Sequence, residues 1–196
     1  MLEWFRKIVM AFALGTLTFT PWEILMVRAE VVEYAKPQFL GIPLWLPLLF
    51  GAAACGAILF LVVFDRFFHT QLEYQGGHLV FEYLLLALVY TSILLFHSTP
   101  YLLSLGLLLI VALRLSIFHQ PWDVLVFLIG ACLGPTLELL LTSLNLYFFT
   151  EPDFLGMPYW LPLLFGVAML AMRRLAWVIE PPPLPSQQFL LTPKGG

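Results

Sequence analysis

Two glutamates stand inside long apolar runs of this chain, Glu23 in "TPWEIL" and Glu138 in "PTLELL". A carboxyl in hydrocarbon is costly and marks a functional position by default. Kept neutral, it both donates and accepts hydrogen bonds, so it can hold a hydroxyl head group. Kept protonated near neutral pH by burial, it can instead hand a proton to an alkene. A third use is structural, a hydrogen bond that holds neighbouring helices together. Both glutamates have polar companions at helical spacing. Thr16, Thr20, Glu23 and Glu30 follow one another at intervals of 4, 3 and 7 residues. Gly134, Glu138, Thr142 and Asn145 follow at 4, 4 and 3. Such spacing gathers side chains on one helix face. Thr20, Glu23, Glu138, Thr142 and Asn145 are therefore the candidate ligand-binding residues.

The elements that must position them are membrane helices. Of the 196 residues, 61% are hydrophobic and only 11% charged, against about 25% charged in soluble domains. Six apolar blocks are long enough to cross a bilayer. They run over Ile8–Val27, Pro43–Phe64, Leu79–Phe96, Tyr101–Phe118, Trp122–Leu146 and Pro158–Ile179. The first is too long for the core of a signal peptide, and no segment alternates as a membrane barrel strand does. The expected fold is all-α, a polytopic membrane protein with one six-helix domain over residues 1–180. The Pro-rich stretch 181–196 is expected to be a disordered tail. With six helices both termini share one side, which receives seven of the nine Lys and Arg. The positive-inside tendency makes that side cytoplasmic.

The chain also repeats itself. "PQFLGIPLWLPLLFG" at 37–51 returns as "PDFLGMPYWLPLLFG" at 152–166, with 12 of 15 positions identical. The shift is 115 residues, and it also carries Glu23 onto Glu138. The copies follow helices 1 and 5 and open helices 2 and 6. Helices four apart run in the same direction, so the repeat is parallel, around a central hairpin of helices 3 and 4. Pro37, Gly41, Pro43, Pro152, Asp153, Gly156 and Pro158 end one helix and turn the chain. Trp45 and Trp160 are expected to anchor at the membrane interface.

Other polar residues carry less. His78 with Glu82, and His119 with Asp123, stand at metal-ligand spacing, but neither pair has a third ligand and both are expected at a surface or interface. Asp65 and Arg66 close helix 2 at the cytoplasmic edge. Glu82 and Arg114 fall near that same edge, where they can pair. Cys55 and Cys132 are expected to be small packing residues. There is no H-E-x-x-H, no Gly-rich phosphate loop and no G-x-S-x-G elbow. The three Asp, at 65, 123 and 153, cannot form paired Asp-rich diphosphate motifs. No metal, cofactor or catalytic residue is expected. The net charge of -3 implies no nucleic-acid partner.

"EPDFLGMPYWLPLLFG", followed by "RRL", resembles the last-helix segment of the INSIG (insulin-induced gene) family. The matching residues are Thr150, Pro152, Asp153, Phe154, Leu155, Trp160, Leu161 and Pro162, with Leu140, Leu141 and Tyr147 upstream. "WLPLLFGAAACGAILFLVVFDR" resembles that family's second helix through Trp45, Pro47, Gly51, Ala53, Leu59, Asp65 and Arg66. The resemblance covers nearly the whole membrane core, and it adds Tyr147 to the candidate ligand-binding set. It implies a six-helix, non-catalytic lipid-binding protein. Animal members bind oxysterols and retain a sterol-sensing escort protein in the endoplasmic reticulum. Bacterial relatives resemble binders of a diacylglycerol-like lipid in a central pocket, as oligomers. His119 stands where the animal pattern has the acidic residue needed for the escort protein. This departure favours a prokaryotic-type member in a bacterial cytoplasmic membrane.

Two functions from different classes follow. The favoured one is an INSIG-like protein that binds a diacylglycerol- or sterol-like lipid, forms a homo-oligomer and can take a membrane-protein partner. The alternative is a small membrane isoprenoid or carotenoid hydratase or cyclase that uses a buried Glu as proton donor.

Overall fold

The computed structural model describes residues 2–68, 70 and 76–180; the tail expected over 181–196 lies outside them. The described residues form six helices: α1 (Leu2–Arg28), α2 (Trp45–Phe67), α3 (Gly76–Phe96), α4 (Pro100–Ile117), α5 (Asp123–Ser143) and α6 (Leu161–Ile179). All six are long and apolar enough to span a membrane, and a helix satisfies its own backbone polar groups there.

α1 packs on α2, and α5 packs on α6. The two contacts are built alike. A side-chain carbon at Gly15 would lie 2.2 Å from Ala54 Cβ, and one at Gly130 would lie 2.5 Å from Met169 Cβ. Both positions therefore demand glycine, and each partner stands 115 residues from its counterpart. Small residues let membrane helices approach closely enough for dense van der Waals contact. The environments of the two pairs differ. α2, α3, α4 and α5 all pack on α6, and Leu170–Trp177 is buried without a break. The outer face of α2 stays open, with Leu48, Leu59 and Val63 exposed.

Two short strands were not foreseen. β1 (Val32–Tyr34) follows α1 and β2 (Tyr147–Phe149) follows α5. They pair antiparallel, with Val32 opposite Phe149, Glu33 opposite Phe148 and Tyr34 opposite Tyr147. The 115-residue shift carries this register onto itself, since Glu33 maps to Phe148. The flanking bonds are reciprocal too: Ala35 N–H donates to Leu146 O and Thr150 N–H to Val31 O, both at 3.1 Å. Beyond each strand lies the repeated turn. Leu40 and Gly41, then Leu155 and Gly156, all have positive φ, and the bridges Phe39–Ile42 and Phe154–Met157 close the loops. Gln38 and Asp153 each accept a backbone N–H from beyond the turn at 3.0 Å, from Leu44 and Tyr159 respectively. The Trp that follows each turn meets a different fate. Trp45 is partly exposed, as an interface anchor requires, whereas Trp160 is buried edge-on against Phe149.

The opposite end of the bundle, where the chain begins and α6 ends, is tied by charge. Asp65, Glu82, Arg114, Asp123, Arg173 and Arg174 are all buried there. This corrects the surface reading of Glu82 and Asp123. Asp123 opens α5 and accepts from Arg114 at 2.7 Å, Arg173 at 2.8 Å, Arg174 at 2.7 Å and the Gln120 N–H at 3.1 Å. Arg114 also bonds Glu82, so the expected pair forms, but inside the protein. Arg173 reaches Asp65, which also accepts from Trp177 Nε1 at 2.8 Å. Three acids balance three bases, and five helices contribute. α1 joins only at the exposed edge, where Lys7 and Arg66 both pair with Glu180.

Removing one partner from a buried ion pair costs about 3–5 kcal/mol, because the remaining charge is left uncompensated. Asp123→Ala strips an acceptor from three guanidinium groups at once. It should lower Tm in detergent far more than Glu33→Ala on the exposed strand face; an equal, small change in both would contradict the account.

Candidate functional site

The polar site lies at the strand end. Glu23 projects from α1, two residues after Pro21, and Tyr34 donates its hydroxyl to Glu23 Oε1 at 2.6 Å. Tyr34 and Tyr147 are directly opposite in the strand pair, both buried, with ring centroids 5.3 Å apart. The alternation that sends Glu33 and Phe148 outward sends both phenols inward. Burial holds the Tyr34 phenol far above the ordinary tyrosine range; the charge and hydrogen bond of Glu23, then the charge of Glu138, push it the same way. Tyr34 thus keeps its proton and acts as a fixed donor. Tyr90 on α3 stacks flat on Trp22, with centroids 5.0 Å apart and an interplanar angle of 5°.

Several polar atoms here lack partners. The Thr20 and Tyr147 hydroxyls are buried without a hydrogen bond. Among the described residues, no ion pair involves Glu23 or Glu138. Unsatisfied buried polar groups are rare in native structures and call for an explanation such as a bound partner. α1 and α5 each pack on their own partner helix.

The structure therefore brings Thr20, Glu23, Glu138 and Tyr147 to one region. It spends the others differently. Thr142 donates its hydroxyl back to Glu138 O at 3.0 Å. Asn145 is exposed in the turn after α5, with φ 54°. Thr16 donates to Pro47 O at 3.0 Å and so joins α1 to α2. Sequence reasoning missed Tyr34, Tyr90 and Trp22. The alternation in "VVEY" was a signal for Tyr34; a lone Tyr or Trp in an apolar helix offers none. Of the cysteines, Cys132 is exposed and Cys55 half-buried, and both are free.

No family model and no curated protein matches the sequence. Solved structures do match. The mycobacterial Insig homolog MvINS from Mycobacterium vanbaalenii is similar with TM-score 0.74 and 20% identity, over 91% of this chain and 97% of that one. A cross-linked trimer of an MvINS variant matches over the same shares with TM-score 0.73. The likeness carries the architecture, and it agrees with the resemblance that the repeated Trp-Leu-Pro segments suggest. The chain is thus INSIG-like in fold, a multi-pass membrane protein of six spanning helices.

Proposed function

We propose that this protein binds a membrane lipid between α1 and α5, with the lipid's head group at Glu23, Glu138, Thr20 and Tyr147. The reading rests on one observation: two buried hydroxyls stand unpartnered near two carboxyls that form no ion pair among the described residues. A head group that donates and accepts hydrogen bonds would satisfy all four, while its chains would lie along the apolar faces of α1 and α5. The protein acts as a binder and not as an enzyme, in a bacterial-type cytoplasmic membrane. Its termini face the cytoplasm, as the Lys and Arg distribution favours, and the strand pair faces outward. It assembles as a homo-oligomer, a reading supported by the trimer of the similar MvINS.

The proton-transfer alternative draws on the same carboxyls, and one substitution separates the two. Glu138→Gln keeps shape and hydrogen bonding. Co-purified lipid should survive it nearly intact, whereas Glu138→Leu should weaken retention about 5- to 150-fold, the equivalent of a lost buried hydrogen bond. An acid catalyst would instead lose all turnover in the Gln variant, because an amide supplies no proton. Conversion of acyclic carotenoids by the wild type that vanishes in Glu138→Gln would overturn the binding reading.

Orientation is checked separately by labelling single cysteines in intact cells. A cysteine replacing exposed Glu33 should react with a membrane-impermeant maleimide, and one replacing Arg66 should not. The reverse pattern would place the termini outside.

A further inference from the structure

Two charged side chains at the arginine end are not fully used. Glu82 and Arg174 are 1% and 2% exposed, yet Glu82 Oε2 and Arg174 Nη1 are buried with no hydrogen-bond partner. Their other atoms are engaged. Glu82 Oε1 accepts from Arg114 Nε at 3.0 Å and again from Arg114 Nη2. Arg174 Nη2 donates to Asp123 Oδ2 at 2.7 Å. Trp177 covers the Arg174 guanidinium, whose central carbon lies 4.3 Å from the ring centroid. Arg174 and Glu82 meet only through Nε and Oε1 at 3.5 Å, too long for a good hydrogen bond. One acceptor oxygen and one donor nitrogen thus stand vacant on neighbouring side chains of α3 and α6. One turn before Glu82, on the same face of α3, half-buried His78 also has a buried Nδ1 without a partner.

We infer that Glu82 and Arg174 hold an uncharged hydroxyl between them, at a small-ligand site separate from the lipid site proposed above. The chemistry of the two vacant atoms selects the group. An ionised carboxylate only accepts, and a guanidinium only donates. The bridging group must therefore donate to Glu82 and accept from Arg174, and a hydroxyl does both through one oxygen. Charge excludes ions. Asp65, Glu82 and Asp123 balance Arg114, Arg173 and Arg174, so a bound anion or cation would leave net charge in a buried place, which is costly. Arg114 holds Glu82 and Asp123 holds Arg174, so neither side chain turns to close the gap directly. His78 lies nearer the start of α3 and is partly exposed, on the side from which a small molecule reaches the two. Water and a small alcohol share this hydroxyl chemistry.

Crystals of the full-length protein, grown and frozen without polyols and diffracting well enough to show ordered water, test this. The map should hold one oxygen within hydrogen-bond distance of both Glu82 Oε2 and Arg174 Nη1. Soaks with 2-bromoethanol, bromoacetate and 2-bromoethylammonium then separate the sources and the charges through the anomalous signal of bromine. A bromine peak beside that oxygen from 2-bromoethanol assigns the site to alcohols; the oxygen without bromine assigns it to water. Neither charged probe should give a peak. A peak from either charged probe overturns the inference, and so does a map in which Glu82 and Arg174 bond directly to each other or only to other side chains. Both results leave the lipid-binding reading untouched.

Discussion

The bundle depends on two adjacent arginines of α6 finding carboxylates inside the protein. Arg173 reaches Asp65 on α2 and Asp123 on α5, while Arg174 shares Asp123 with Arg114 of α4. Glu82 brings in α3. A single buried guanidinium in a membrane would be prohibitive. A closed set of three acids and three bases is tolerable because each charge sees its opposite at hydrogen-bond distance. The set also dictates geometry. Guanidinium forks bond in fixed directions, so five helix ends are held in register where apolar packing alone would allow them to slide.

At the other end no such lock exists. Two three-residue strands and a reciprocal pair of backbone bonds join the repeats. They hold the exits of α1 and α5 together. The result is a bundle locked by charge at one end and joined by paired backbone at the other. Repetition of sequence does not mean repetition of surroundings. α6 gains α3 and α4 and becomes the core, and Trp160 is buried with it. α2 has no such cover, and Trp45 remains near the surface.

Much of this was legible in the sequence. Helix length and number follow from apolar runs, which need no partner to be read. The repeated turn was legible because Pro and Gly at fixed offsets act locally. Burial of Glu82 and Asp123 was not, since a charge at a helix end looks the same whether it meets water or an arginine from another helix. The strands were hidden for a related reason: three residues gain sheet geometry only from a partner 115 positions away. Glu23 and Glu138 stood out because carboxyls are rare in apolar helices. Tyr34 did not, because its role comes from a contact across the fold. Thr142 shared the stripe's periodicity, but its hydroxyl bonds its own helix, an alternative that spacing never excludes.

An experimental structure of the protein purified with its native lipid tests the account most directly. The account predicts head-group density between α1 and α5, within hydrogen-bond distance of Glu23, Glu138 and the Tyr147 hydroxyl. A lipid seated elsewhere, or an empty site in which the two carboxyls and Tyr147 bond only to one another, would contradict it.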